Sequence, residues 1–297
     1  MFAKKHLILT VSIILVITVL FLGGVTGIIL SLIGPSPGLG FSNKIGVINI
    51  RGTITDPEPF LGQLVEFKKD KQIRAIILRI DSSGGGVGAS QEIYREVRKV
   101  TETKNVIVSL GAVAASGGYY IASAGDRIIA NPGTITGSIG VKMEIFQIQE
   151  LSEKIGIGME VLKSGEFKDI GSPYRELTEE EEALIKELLS DIQEQFINAV
   201  SEGRNIPSEK VREIADGRIF TGSTALDLGL VDQLGNFRDA VDLAKKMAGI
   251  EGEPRLVYPT ETRFRLWDLI LQDATKALYS ALKDSVKPAI EYRWNGN

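Results

Sequence analysis

Between residues 44 and 132 the hydrophobic positions fall into two alternating patterns. Nearly continuous apolar runs occur at 44–52 (KIGVINIRG), 74–86 (RAIILRIDSSGGG), 105–110 (NVIVSL) and 126–132 (DRIIANP). Between the first three lie segments whose apolar residues recur every three or four positions: Leu61, Leu64, Val65 and Phe67 in 59–73, then Ile93, Val97 and Val100 in 88–102. A continuous apolar run bounded by turn residues reads as a strand covered on both faces, and the longer spacing reads as one face of a helix. Strand, helix and strand in this order predict parallel pairing with helices on the sheet. A short helix, GGYYIASAG, is predicted after the third strand. In such sheets chemistry gathers at the loops leaving the C-terminal ends of strands. Two loops qualify, DSSGGGVG (81–88) and GAVAASGGYY (111–120).

Further along, residues 176–205 predict a long helix, with Thr178 and Glu181 as a capping box and Gly203 and Asn205 as a stop. Short helices and glycine turns continue over 208–217 and 222–250. Residues 263–294 are amphipathic, with Trp267, Ile270, Leu271, Ala274, Leu278 and Leu282 near one face. That pattern fits a packed terminal helix, or a face for a neighbouring subunit or a membrane surface.

The N-terminal stretch differs from all of this. After Lys4 and Lys5 no charged side chain occurs until Lys44, and Leu7–Ile33 is apolar throughout most of its length. A spanning helix needs roughly 20 apolar residues, whereas the apolar core of a cleaved signal peptide has about 7–15. The expectation is an uncleaved anchor with its lysines on the cytoplasmic side and the remaining chain outside the cell. The predicted organisation is therefore an anchor (1–33), a linker (34–43), a catalytic domain (44–250) and an amphipathic C-terminal tail (251–297).

Composition narrows the chemistry. A net charge of −4, from 34 basic and 38 acidic residues, gives no basic footprint for nucleic acid. There are no cysteines and one histidine, so thiolate sites, cysteine nucleophiles and histidine-rich metal centres are excluded. No metal or cofactor is expected. Ser116, between two alanines and two glycines at a strand-to-helix turn, reads as a nucleophile. The Gly117 N–H is placed to stabilise an oxyanion, and the glycine run 84–86 can bring a second N–H from the parallel loop. GGGVG lacks the Gly-Lys-Ser/Thr ending of a phosphate loop.

The base is the open question, because the single histidine, His6, lies in the N-terminal segment and removes a Ser-His-Asp triad. The convergent solution is a Ser-Lys pair. A lysine amine has a reference pKa of about 10.4, so a neutral one near pH 7 costs on the order of 4.6 kcal/mol, which burial can supply. Lys163 and Lys168, in the turn-rich stretch VLKSGEFKDIGSPYREL (161–177), are both candidates.

The stretches DSSGGGV, AASGGYYIASAGDRIIANPGTITGSIGV, KSGEFKDIGSPYRELTEEE and ADGRIFTGSTALDLGLVDQLG together resemble the signal peptide peptidase A family of bacterial membrane Ser-Lys endopeptidases. The resemblance spans about residues 44–250. It implies an α/β fold, a crotonase/Clp-protease-like superhelix of strand–helix units preceded by one transmembrane helix. It implies Ser116 as nucleophile, Lys168 as general base, Ser138 as the hydroxyl that orients the lysine, and Gly117 with Gly85 as oxyanion donors. Asp81, by contrast, reads as a strand-end turn residue. The resemblance further implies peptide substrates, among them cleaved signal peptides, and ring-like homo-oligomers in which serine and lysine of one site can come from adjacent subunits. A catalytically inactive membrane-anchored peptide-binding scaffold is the alternative; an enolate-stabilising enzyme on the same sheet fits poorly with an anchored outside domain.

Overall fold

Apolar strands with helices between them build a sheet covered on two faces in the computed structural model, which describes residues 15–25, 43–259 and 290–294. Residues 1–42 form one unit and 43–297 another. In the first, a helix covers residues 15–25 (α1). Among the described residues no helix is long and apolar enough to cross a membrane. Most of the predicted anchor, nearly all of the linker, and residues 260–289 lie outside the described residues.

The second unit runs β1 (Lys44–Ile54), α2 (Glu58–Lys69), β2 (Ile73–Gly86), α3 (Val87–Thr101), β3 (Asn105–Ala115), α4 (Gly117–Ala122), β4 (Arg127–Ala130), β5 (Ile135–Gly137), β6 (Lys142–Met143), α5 (Gln149–Lys154), α6 (Glu179–Arg204), α7 (Ser208–Ile214), β7 (Ile219–Thr221), α8 (Gly222–Asp227), β8 (Gln233–Leu234), α9 (Phe237–Met247), β9 (Arg255–Val257) and β10 (Ile290–Arg293). β9, β1, β2, β3, β4 and β8 are parallel neighbours in that order. Alternation within the strands feeds two cores. Ile48, Ile50, Ile76, Leu78, Ile80, Val106 and Val108 face α2, α3, α4 and α6, where Phe67, Ile93, Val97, Tyr119 and Phe196 meet them. Ile45, Val47, Ala75, Ile77, Ile107 and Ile129 face α9 through Ala240, Val241 and Ala244. Burial on both faces is why these strands read as unbroken apolar runs.

Two features of the sheet set up the site. β2 and β3 pair regularly as far as Ile80 and Leu110, then resume at Ser82 and Ala114. The extra residues make a bulge at Gly111–Val113, and a bulge bends its strand and re-aims the residues beyond it. Asp81 braces it: its carboxylate accepts from Val113 N–H at 3.1 Å and packs on Gly111. Thr134 and Thr136 brace the other side by donating to the carbonyls of Gly111 (2.8 Å) and Ala114 (2.7 Å). Past the bulge β3 pairs with β5, which pairs antiparallel with β7, while β2 pairs antiparallel with β10.

α6 starts as the sequence predicts, with Thr178 and Glu181 forming a capping box, and it ends at Asn205, whose φ is +52°. Gly203 is not part of the stop. It lies inside the helix, where a Cβ would collide with the Ser123 carbonyl, so it serves the close approach of α6 to the α4 region.

Candidate active site

Ser116 comes directly after β3 with φ +54° and ψ −119°. A non-glycine residue there is strained by roughly 1–3 kcal/mol and is held by its surroundings. Its N–H donates to the Gly137 carbonyl of β5 at 2.8 Å, and its carbonyl accepts from Tyr120 N–H of α4 at 2.8 Å. α4 is buried along its whole length, and Gly118 lets it approach β2, since a Cβ there would lie 2.9 Å from the Ser82 carbonyl. The turn is thus fixed from three sides, and Ser116, 1% exposed, looks into one cavity.

That cavity measures about 600 Å³. Ser116 and Ser138 both line it, together with Val141, Leu189, Gln193, Gly217 and Trp294. Ser138 also has positive φ (+52°) and is pinned by its N–H to the Arg218 carbonyl at 2.8 Å. The structure therefore brings these two predicted serines to one place. It does the same for the glycines. A Cβ built on Gly117 would stand 3.2 Å from Gly85 N, so the two proposed oxyanion amides belong to one neighbourhood.

Lys168 is placed differently. It is exposed, in the loop before α6, and it does not line the Ser116 cavity. Among the described residues its ammonium has no partner. Lys163 is committed: its ammonium pairs with Asp169 at 2.7 Å and donates to the Glu166 carbonyl at 2.7 Å. Asp169 also pairs with Arg175 at 2.9 Å, and the Arg175 guanidinium reaches Glu181 at 2.5 Å. Hydrogen bonds from Arg175 hold the carboxyl of Asp169 far below its ordinary range and that of Glu181 at about 2. This chain of charges organises the loop that carries Lys168. Within the cavity itself the charged groups are occupied. Asp216 is held at about 2 by Arg218, Lys186 pairs with Glu182 at 2.7 Å, and Lys142 pairs with Glu144 at 2.5 Å.

Two contributors escaped the sequence reading. One is the face of α6 formed by Lys186, Leu189, Ser190 and Gln193, which walls the cavity. Their i, i+3, i+4, i+7 spacing was the available signal. Gln193 ties this wall to the strand region by donating to the Ala215 carbonyl at 2.5 Å. The other is β10. It lies antiparallel along Gly84–Gly86, with Tyr292 opposite Gly85. Trp294 N–H extends the pairing to the Ser83 carbonyl at 2.9 Å. The Tyr292 side chain is fully buried against Tyr120 and Phe196, with ring centroids 5.2 and 4.7 Å away, and its hydroxyl donates to the Ile192 carbonyl at 3.1 Å. Burial raises the Tyr292 phenol well above its usual range and Tyr120 to about 12. Nothing in the pattern of 263–294 marks so short a strand.

A serine in a strained turn after a parallel strand, opening on a cavity, fits a serine protease built on a mixed α/β sheet. Peptidase family S49 matches over residues 98–251, and the Clp protease family matches over 44–134. The chain belongs to peptidase family S49. It is 44% identical over 209 residues to a provisionally named protease of Synechocystis sp., covering 70% of this chain and 76% of that one. It is 36% identical to a provisionally named signal peptide peptidase SppA of Enterococcus faecium, covering 75% of this chain and 69% of the relative. It is also 36% identical to the chloroplastic serine protease SPPA of Arabidopsis thaliana, covering 72% of this chain and 32% of that one.

Proposed function

We propose that this serine protease is a membrane-anchored endopeptidase using Ser116 and Lys168 to cleave signal peptides released from preproteins and other apolar peptides. The observation that carries the reading is the Ser116 turn, strained and held open to a cavity that Ser138 also lines. Substrate enters the cavity that Ser116 and Ser138 line, beside the Gly84–Gly86 stretch that β1 and β10 already pair. Ser116 Oγ attacks the scissile carbonyl while an uncharged Lys168 amine takes its proton. The N–H groups of Gly117 and Gly85 receive the oxyanion. Lys168 then passes the proton to the leaving amine, and water completes hydrolysis of the acyl-enzyme. Ser138 positions the amine.

Lys168 reaches the cavity of a neighbouring subunit in this reading. Among the described residues it stands in solvent with no partner, in a loop region that also exposes Leu162, Ile157, Met159 and Val161. A second copy packed on that apolar loop removes the amine from water, which is the condition for its neutral form. The N-terminal apolar stretch Leu7–Ile33 is the proposed anchor, with residues 44–250 as the extracytoplasmic catalytic domain.

Mixing tests the arrangement. Ser116→Ala and Lys168→Ala variants are each expected to be inactive on an internally quenched apolar peptide. Co-assembled, they are expected to recover activity, because some sites then pair an intact serine with an intact lysine from different chains. No recovery, with assembly intact, overturns the shared site; full activity of Lys168→Ala overturns the dyad.

A further inference from the structure

Lys168 is followed directly by an acid, Asp169. Neighbouring Cα atoms stand about 3.8 Å apart, so the carboxylate and the amine share one short stretch of loop. A lone carboxylate there would work against a base, because a negative charge within about 4–6 Å of an amine favours the protonated form. The structure surrounds Asp169 with two cations. Lys163 Nζ meets its Oδ1 at 2.7 Å, and Arg175 Nε meets its Oδ2 at 2.9 Å. The other two guanidinium nitrogens of Arg175 turn to Glu181, at 2.7 and 2.5 Å. The side chain of Glu181 is 3% exposed and that of Asp169 12%. Lys163, Asp169, Arg175 and Glu181 thus form one cluster of two cations and two anions.

Ion pairs near a protein surface contribute little to stability, so holding the loop together is a weak reason for this arrangement. What the cluster sets is charge, and it is neutral only while Arg175 is present. Hydrogen bonds from Arg175 and Lys163 hold the Asp169 carboxyl far below its ordinary range. Arg175 holds Glu181 at about 2, and the two acids push Arg175 above its own usual value. These three groups therefore keep their charges wherever a lysine amine titrates. We infer that Arg175 is a positioning residue for Lys168: together with Lys163 it cancels the charge of Asp169, so that the adjacent amine gives up its own proton and accepts that of Ser116. The inference rests on the Ser-Lys reading. Two further acids of the loop, Glu166 and Glu176, meet the cluster through their backbone carbonyls. The cavity that Lys168 enters in that reading is lined by the charged groups Lys142, Lys186, Asp216 and Arg293. Substitutions in the loop leave those four unchanged, so they drop out of a comparison between variants.

The experiment uses the full chain in detergent micelles and an internally quenched apolar peptide, with kcat/KM followed from about pH 5 to about pH 10. The acid limb of that profile reports the base of the free enzyme. Arg175→Gln leaves the cluster with one excess negative charge, which stabilises the ammonium, and its acid limb is expected to move up by about one pH unit. Asp169→Asn leaves one excess positive charge, and its limb is expected to move down. Arg175→Lys keeps the charge while losing the planar fork, so its limb is expected to stay with the parent even where the plateau rate falls. A loop merely loosened by substitution lowers the plateau without sending the two limbs in opposite directions. Limbs that stay in place, or that move the same way in Arg175→Gln and Asp169→Asn, overturn the assignment and leave the dyad intact. Where Arg175→Gln gives no measurable rate, Asp169→Asn decides: a limb that does not move down overturns the assignment. Full activity of Lys168→Ala overturns the dyad itself.

Discussion

At φ +54° the Ser116 backbone sits where glycine is at ease and serine is not. The strain is maintained by the Gly137 carbonyl on one side and the first turn of α4 on the other. Ser116→Gly is therefore expected to raise folding stability by about 1 kcal/mol, strain relief exceeding the added chain entropy of glycine, while abolishing cleavage. Ser116→Ala removes the nucleophile but keeps the strained Cβ, so its melting temperature is expected to stay near that of the parent. Thermal unfolding of the two variants side by side checks this; a glycine variant less stable than the alanine variant contradicts the strain argument. The strand-to-helix turn at Ser116 was legible from A-A-S-G-G after an apolar run, though that motif alone fits a capped helix start as well as a nucleophile. Its dihedral angle was not, since the bulge that creates the turn depends on Asp81, Thr134 and Thr136, which are remote in sequence and look like ordinary polar residues. The sequence reading of Asp81 as a turn residue understated it: it lies within β2 and supports the bulge of the next strand.

Elements differed in how plainly they announced themselves. The parallel strands and α3 were readable because their apolar periodicity reflects burial in two cores. The α6 start was readable because a capping box is a local code. What could not be read is that the same Glu181 also receives Arg175, joining the cap to the loop that carries Lys168. That coupling gives a pH prediction. Glu181 titrates near 2 in the folded protein, against a reference of 4.5, mainly because of Arg175. A depressed carboxylate contributes stability above its unfolded value and loses it as pH falls through the folded one. The stability difference between the parent and Glu181→Gln is thus expected to be full above about pH 4.5 and to vanish toward pH 2. Melting curves across that window measure it; a difference independent of pH removes the ion pair from the account. β10 was the hardest element to foresee, because a four-residue strand is fixed by its partner edge and not by its own pattern. Its Tyr292 is part of the core, and Tyr292→Ala is expected to cost about 3–5 kcal/mol, the range for truncating a buried aromatic, as read by denaturant unfolding.

For the molecule as a whole, the decisive feature is the separation of Lys168 from the cavity that Ser116 and Ser138 share. Ser116, Ser138 and the glycine edge converge, while Lys168 stands in solvent on a loop rich in uncovered apolar side chains. Leu162 is 92% exposed, and Phe146, Leu151, Ile155, Ile157 and Met159 are each more than half exposed. Single exposed apolar residues are ordinary, but so many within one stretch are the pattern of an interaction surface. The proposed occupant is a second copy, because the adjoining loop carries Lys168, the proposed base, which does not line the Ser116 cavity of its own chain. Leu162→Glu separates folding from assembly. The side chain makes no core, so the melting temperature of the isolated subunit is expected to change little. A carboxylate on a face that must be desolvated opposes packing, and burying it unpaired costs several kcal/mol. The assembled mass in light scattering is therefore expected to fall, and peptidase activity to fall with it by a similar fraction, since each lost contact removes one lysine from one serine. Loss of assembly with activity retained would place the base within a single chain, and loss of activity with assembly retained would make Leu162 a substrate contact. Proportional loss of both ties the exposed loop to the chemistry of its neighbour.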